Sequence, residues 1–183
     1  LEPDAVVVAT GGEPLVPGSI PGVQRGDFCT APDIIHGRVK PKNQNVVVVG
    51  SGMTGLETAE ILCKAHNRVT IIEMAPEIAP GNWFQLTDDE LERLRPQGVE
   101  FRTGRQLTAL MPDCVLALNR ANGAVERIPA DTVVLSMGVR PVNKLYKELK
   151  GHMANVVCAG DAVKSGTIAN AVHSGYDAAM SIK

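Results

Sequence analysis

The sequence predicts an α/β protein, with a parallel β-sheet flanked by helices and a small antiparallel β-meander. Three observations carry that expectation. Val46–Val49 is an uninterrupted run of β-branched residues, the composition of a strand covered on both faces, and apolar residues return at Val69–Ile72. Between them Leu56–Lys64 has helical spacing, which completes a strand–helix–strand unit. Leu107–Met111, Cys114–Leu118 and Val125–Ile128 are short runs around the turn signals Pro112-Asp113 and Asn122-Gly123, the layout of a meander.

The loop after the first of these strands, Gly50-Ser51-Gly52-Met53-Thr54-Gly55, has the form G-x-G-x-x-G. Gly50 permits a tight turn, Gly52 lets a diphosphate approach the backbone, and Gly55 lets the helix pack closely on the sheet. The helix N-terminus adds unpaired N–H groups and a partial positive charge. Glu73 ends the second strand, 18 positions after Gly55, where a carboxylate can accept hydrogen bonds from both hydroxyls of an adenine ribose. Met74-Ala75 supply no arginine for a 2′-phosphate, so NADH is expected to bind more tightly than NADPH. Glycine-rich turns and methyltransferase loops resemble one another, and the glycines alone are a weak signal. The complete unit ending on an acid is what makes dinucleotide binding the reading.

The remaining elements follow in order. Ala5–Ala9 reads as a strand broken at Thr10-Gly11-Gly12, and Glu13–Val23, rich in Pro and Gly, as an extended connector. Thr30-Ala-Pro-Asp33 is an N-cap with an acidic N3 residue, opening a short helix through Ile35. Met74–Trp83 is a loop, in which Trp83 is expected to plug apolar space beneath, with a lid over the nucleotide as the other reading. Thr87-Asp-Asp-Glu90 is a capping-box sequence expected to start a helix that Pro96 and Gly98 end. Val99–Arg102 is expected to be the third parallel strand and Thr132–Ser136 another buried one. Val156–Asp161 is a strand ending on Gly160-Asp161, and Gly166–Ile182 a closely packed final helix. Val6–Pro14 and Val133–Pro141 share apolar residues, a glycine and a proline at matching offsets, the sign of an internal duplication.

Composition narrows the function further. Aromatic residues at 3%, a net charge of −2 and the lack of a basic run speak against a nucleic-acid partner. No stretch is long and apolar enough for a membrane span, and the chain is expected to be cytoplasmic. Cys29, Cys63, Cys114 and Cys158 are widely separated and form no C-x-x-C, so no metal site and no redox dithiol is expected. His36, His66, His152 and His173 are scattered, and no catalytic acid or base is assigned.

Together these motifs resemble the two-dinucleotide-domain flavoprotein oxidoreductases, over essentially the whole chain. In that family an NAD(P)-binding domain is inserted into an FAD-binding domain, both with Rossmann-like folds. Ala9-Thr10-Gly11-Gly12 resembles the crossing into the NAD domain, and Gly50–Glu57 the NAD fingerprint. Ser136–Pro141, with Gly138, resembles the return crossing, and Ala159-Gly160-Asp161 the motif whose aspartate bonds the FAD ribityl chain. Glu57 resembles the family's glutamate near the nicotinamide. The ending AVHSGYDAAMSIK looks most like the C-terminal part of 2,4-dienoyl-CoA reductase and old-yellow-enzyme-like NADH:flavin oxidoreductases.

The resemblance implies residues 1–40 as the last strand of the FAD domain with a connector, 41–142 as the NAD(H) domain, and 143–183 as the return segment and C-terminal helix of the FAD domain. It implies NADH and FAD as cofactors. Only one glycine fingerprint is present, so the FAD site is expected to be incomplete and the chain to be an inactive piece of a larger enzyme. Ala5–Ala9 and Val156–Ala159 are expected to pair, leaving edges open to self-association. The competing reading is a non-catalytic nucleotide-binding or sensing module.

Overall fold

The computed structural model describes residues 3–182. In chain order its elements are β1 (Val6–Val8), β2 (Gly12–Pro14), β3 (Cys29–Thr30), α1 (Ala31–Ile35), β4 (Asn45–Val49) and α2 (Met53–Lys64). Then come β5 (Arg68–Ile72), α3 (Phe84–Leu94), β6 (Glu100–Arg102), β7 (Arg105–Met111), β8 (Cys114–Asn119) and β9 (Val125–Pro129). The last are β10 (Thr132–Leu135), β11 (Val139–Pro141), α4 (Lys144–Lys150), β12 (Val156–Cys158) and α5 (Ile168–Ser181). They form two compact units, one of residues 15–138 and one of residues 3–14 with 139–182. The division therefore falls at Pro14 and Gly138, not at 40 and 142 as read from sequence. Residues 15–40 belong to the larger unit because β3 pairs with β10 inside its sheet.

The larger unit is built on a five-stranded parallel sheet of order β3-β10-β4-β5-β6. Because side chains alternate across a strand, β4 feeds two cores. Val46 and Val48 pack with Leu56, Ala59 and Leu62 of α2, Ile34 of α1 and Leu94 of α3. Val47 and Val49 pack with Leu107, Leu110, Val115 and Ile128 of the antiparallel meander β7-β8-β9. The sheet is thus covered by helices on one face and by the meander on the other. That two-sided burial is why the run Val46–Val49 has no polar residue.

Several local expectations need correction. The helix α3 begins three residues before Thr87, at Phe84, and Thr87 Oγ1 donates to the carbonyl of Trp83 at 3.4 Å instead of capping. Trp83 is 76% exposed, which overturns the plug reading. The two-residue strand β3 and the charged helix α4 had no counterpart in the sequence reading.

In the smaller unit β1 and β12 pair in parallel, Val6 with Val156 and Val8 with Cys158, as expected. The matching segments around Gly11 and Gly138 share their geometry. Both glycines lie at positive φ, 72° and 87°, and the strands after them, β2 and β11, pair antiparallel with each other. Glu13 and Arg140, at equivalent positions, face each other and form an ion pair at 2.7 Å. The final helix α5 is not closely packed. Ala178 is its one buried residue among those described, while Ile168, Val172, Tyr176 and Met180 are 86%, 63%, 65% and 69% exposed. Within its unit it meets chiefly the turn Gly160–Ala162 and the three-residue strand β12, which are too short to cover a helix on more than one side.

Candidate functional site

In the larger unit a cleft of about 480 Å³ opens at the C-terminal ends of β4, β5 and β10. The strand order reverses beside β4, and such a crevice is where open α/β sheets bind ligands. Gly50, Gly52, Glu73 and Gly138 line it, together with Ile20, Met74, Pro80, Arg105, Leu107 and Met137.

The three glycines of the loop differ in what surrounds them. Gly50 sits at φ 102°, and a Cβ there would stand 2.1 Å from the Ser136 carbonyl oxygen. A Cβ on Gly55 would stand 2.3 Å from the Gly50 carbonyl oxygen, so α2 and the loop are in contact at that point. Gly52 is exposed, has an ordinary φ of −58°, and a Cβ there would meet nothing within 4 Å. It is the N-cap of α2 and no side chain caps that helix, so the first N–H groups of α2 are left for solvent or a ligand.

Glu73 is tied into the same loop. Its Oε2 accepts from the Ser51 N–H at 2.9 Å and from Ser51 Oγ at 2.8 Å, and its Oε1 accepts from the Ala75 N–H at 2.8 Å. A carboxylate has about four acceptor positions. One position, on Oε1, is left, so the carboxylate as it stands can take one ribose hydroxyl rather than two. Ser51 is fully buried, and its Oγ also accepts from the Ala79 N–H at 2.9 Å. Its side chain holds Glu73 and the 74–83 loop in place and is not presented to a ligand. Met53 is partly buried against the helix-side core, and Thr54 and Glu57 are exposed on the first turns of α2.

A second feature of the cleft lay outside the sequence reading. The segment Arg102–Arg105 runs beside Glu73–Ala75, joined by backbone bonds from Glu73 N–H to the Arg102 carbonyl (2.9 Å), Arg105 N–H to the Glu73 carbonyl (2.7 Å) and Gly104 N–H to the Ala75 carbonyl (2.7 Å). The main chain of two arginines thereby flanks the acid that follows β5. Nothing local in the sequence marks them, because it is the β5–β6 pairing that brings residues about thirty positions apart together.

The remaining expected site residues lie in the smaller unit. Val8 pairs with Cys158, so Thr10-Gly11 and Gly160-Asp161 follow the same end of the β1–β12 pair. Thr10 Oγ1 donates to the Val142 carbonyl. Gly160, at φ 63°, donates its N–H to Ser174 Oγ at 3.0 Å, and Asp161 Oδ1 accepts from the Gly166 N–H at 3.2 Å. His173 is exposed on α5. Among the described residues no cluster of three or more His, Cys, Asp or Glu could hold a metal ion, and no helix is long and apolar enough to cross a membrane. All four cysteines are free, and burial, with Asp33 adding its charge, pushes the Cys29 thiol up to about 11.

Residues 1–166 match a family described as pyridine nucleotide-disulphide oxidoreductase. An NADH oxidase of Thermoanaerobacter brockii is 37% identical over 186 residues, covering all of this chain and 28% of that protein. A bilirubin reductase of Mediterraneibacter gnavus is 33% identical over 178 residues, covering 97% of this chain and 27% of its own length. A solved 2-naphthoyl-CoA reductase, in complex with 2-naphthoyl-CoA, superposes with a TM-score of 0.88 at 26% identity, covering 99% of this chain and 27% of that one. The chain thus spans less than a third of the length of these relatives.

Proposed function

The chain belongs to the pyridine nucleotide-disulphide oxidoreductase family, and from that premise we propose that it is the pyridine-nucleotide-binding module of a flavin-dependent oxidoreductase. On this reading the cleft of the larger unit holds NADH, and the hydride passes to FAD. The observation that carries it is Gly52, an exposed residue with empty space at its Cβ position, capping a helix whose N-terminus no side chain satisfies. A diphosphate placed there would accept from free N–H groups and meet the positive end of the helix. Glu73 would take a hydroxyl of the adenine ribose through Oε1 and stand against a 2′-phosphate.

FAD, when bound, accepts the hydride and passes electrons onward. Thr10, Gly11, Gly160 and Asp161 are the residues proposed to reach it, supported by their sharing one end of the β1–β12 pair. The finer kinship, with 2,4-dienoyl-CoA reductase and old-yellow-enzyme-like reductases, belongs to the same proposal and rests on the C-terminal sequence. So does the assignment of the larger unit as the NAD(H) domain and the smaller as part of an FAD domain.

The test is Gly52→Asp. Aspartate is a favoured N-cap and meets no steric obstacle, so thermal stability should hold or rise. Its charge would oppose the diphosphate, and NADH binding by titration calorimetry should weaken on the order of 100-fold. A wild-type chain that does not bind NADH, or a variant that binds it equally well, refutes the assignment. Reduction of added FAD by NADH, dependent on the chain, separates a redox module from one that only binds nucleotide.

A further inference from the structure

We propose that Glu126 sets the choice between NADH and NADPH by occupying the guanidinium group of Arg105 at the edge of the cleft. This inference rests on the nucleotide reading above and concerns a residue on β9, remote in sequence from the glycine loop. Glu73 alone is an incomplete account of a preference for NADH. It is flanked by Arg102 and Arg105, which three backbone hydrogen bonds fix beside it, and Arg105 lines the cleft. A guanidinium group lining the cleft beside Glu73, as that of Arg105 does, would ordinarily favour a 2′-phosphate, since arginine is the side chain best suited to bind that group.

Both guanidinium groups are already engaged. Arg105 donates from Nε and Nη2 to Glu126 Oε2 and Oε1 at 3.3 and 2.9 Å, and from Nη1 to the Thr103 carbonyl at 2.9 Å. Every nitrogen of its guanidinium has a partner. Arg102 pairs with Glu100 at 2.9 Å and approaches Glu126 at 3.8 Å. Asn119 Nδ2 donates to Glu126 Oε1 at 2.9 Å and fixes the carboxylate from its other side. The Arg105 and Asn119 hydrogen bonds, with the charges of both arginines, hold the Glu126 carboxyl below the usual carboxylate range, so it stays ionised wherever the protein is folded near neutral pH. Glu126 is therefore a built-in competitor for the groups that a 2′-phosphate would need.

The experiment is a pair of titrations, NADH and NADPH, on the 183-residue chain and two variants. Glu126→Gln keeps the side-chain shape and the bond to Asn119 but removes the charge that holds the arginines. It should tighten NADPH by about tenfold, the scale of one charge-assisted hydrogen bond gained at a partly exposed site, and move NADH less than about twofold. Adding Arg105→Gln to Glu126→Gln should remove that NADPH gain, because the freed guanidinium is the group the 2′-phosphate would meet. Glu126→Gln that shifts neither nucleotide, or both alike, overturns the proposal, and so does an NADPH gain that survives in the double variant. The NADH titration in each variant reports that the cleft is intact. A wild-type chain that binds no NADH removes the nucleotide reading and this inference together, whereas NADH binding without a selective NADPH gain removes the inference alone.

Discussion

At Glu73 one side chain has two duties. Its carboxylate satisfies the N–H and hydroxyl of buried Ser51 and the N–H of Ala75, and it lines the cleft, where it is proposed to meet the adenine ribose. Substitutions should separate those duties. Glu73→Gln can keep the Ser51 bonds and gives up the one to Ala75, which is partly exposed and can turn to water. It should narrow the NADH-over-NADPH gap at little cost in stability. Glu73→Ala also leaves the buried Ser51 N–H and hydroxyl without an acceptor, and should cost roughly 1–3 kcal/mol in addition. Urea unfolding of the two variants beside nucleotide titrations checks this. Equal stability of both would show that the Ser51 bonds contribute nothing.

Among the elements, α1 shows how a sequence signal becomes a physical contact. Asp33 Oδ2 accepts from the Thr30 N–H at 2.9 Å and from Thr30 Oγ1 at 2.6 Å, and the five-residue helix buries Ala31 and Ile34 against the sheet. The Thr30 hydroxyl and N–H, aided by Arg38, hold the Asp33 carboxyl below its ordinary value. A depressed folded pKa means the stabilisation is complete above the unfolded pKa of about 4 and is lost as pH falls through the folded one. Asp33→Ala should therefore cost about 1 kcal/mol at pH 7, and the gap to wild type should close as pH drops below about 4. Urea midpoints across that range measure it, and a gap that does not change with pH would show the carboxylate charge to be irrelevant. The helix α3 teaches the opposite lesson. A capping-box pattern at Thr87–Glu90 sits inside a helix, because Phe84–Leu86 continue the helix backward and Thr87 bonds to its own previous turn.

For the whole chain, the two compact units differ in how much core each owns. In the larger, Val46–Val49 are at most 5% exposed between two apolar layers. In the smaller, Val7 is 46% exposed and α5 buries only Ala178 among the described residues. Opening free energies follow buried apolar contact. Hydrogen exchange should find the slowest amides in β4, β5 and β10, and exchange faster by about two orders of magnitude in β1, β12 and α5. Equal protection at Val47 and Val157 would mean that the smaller unit is stabilised by something other than the packing within it.

The sequence by itself determined the α/β class, the glycine loop with its acid, the meander and the pairing of the first and last strands. Each of these is written in residues close together or in a periodicity that a single element carries. Gly50, Gly52 and Gly55 could be assigned a turn, an open approach and a close packing from spacing alone, and their surroundings have those three forms. Only the tertiary structure decided what surrounds Glu73. The internal bonds from Ser51, the two arginines whose backbone runs beside Glu73, and the glutamate on β9 that binds Arg105 are contacts across 22, 29, 32 and 21 positions. Nothing in the chemistry of Arg105 or Glu126 as isolated residues marks them, since surface ion pairs are common and mostly inert. Strand pairing between β5 and β6, and the meander folding back on the same end of the sheet, give that pair its place beside the cleft.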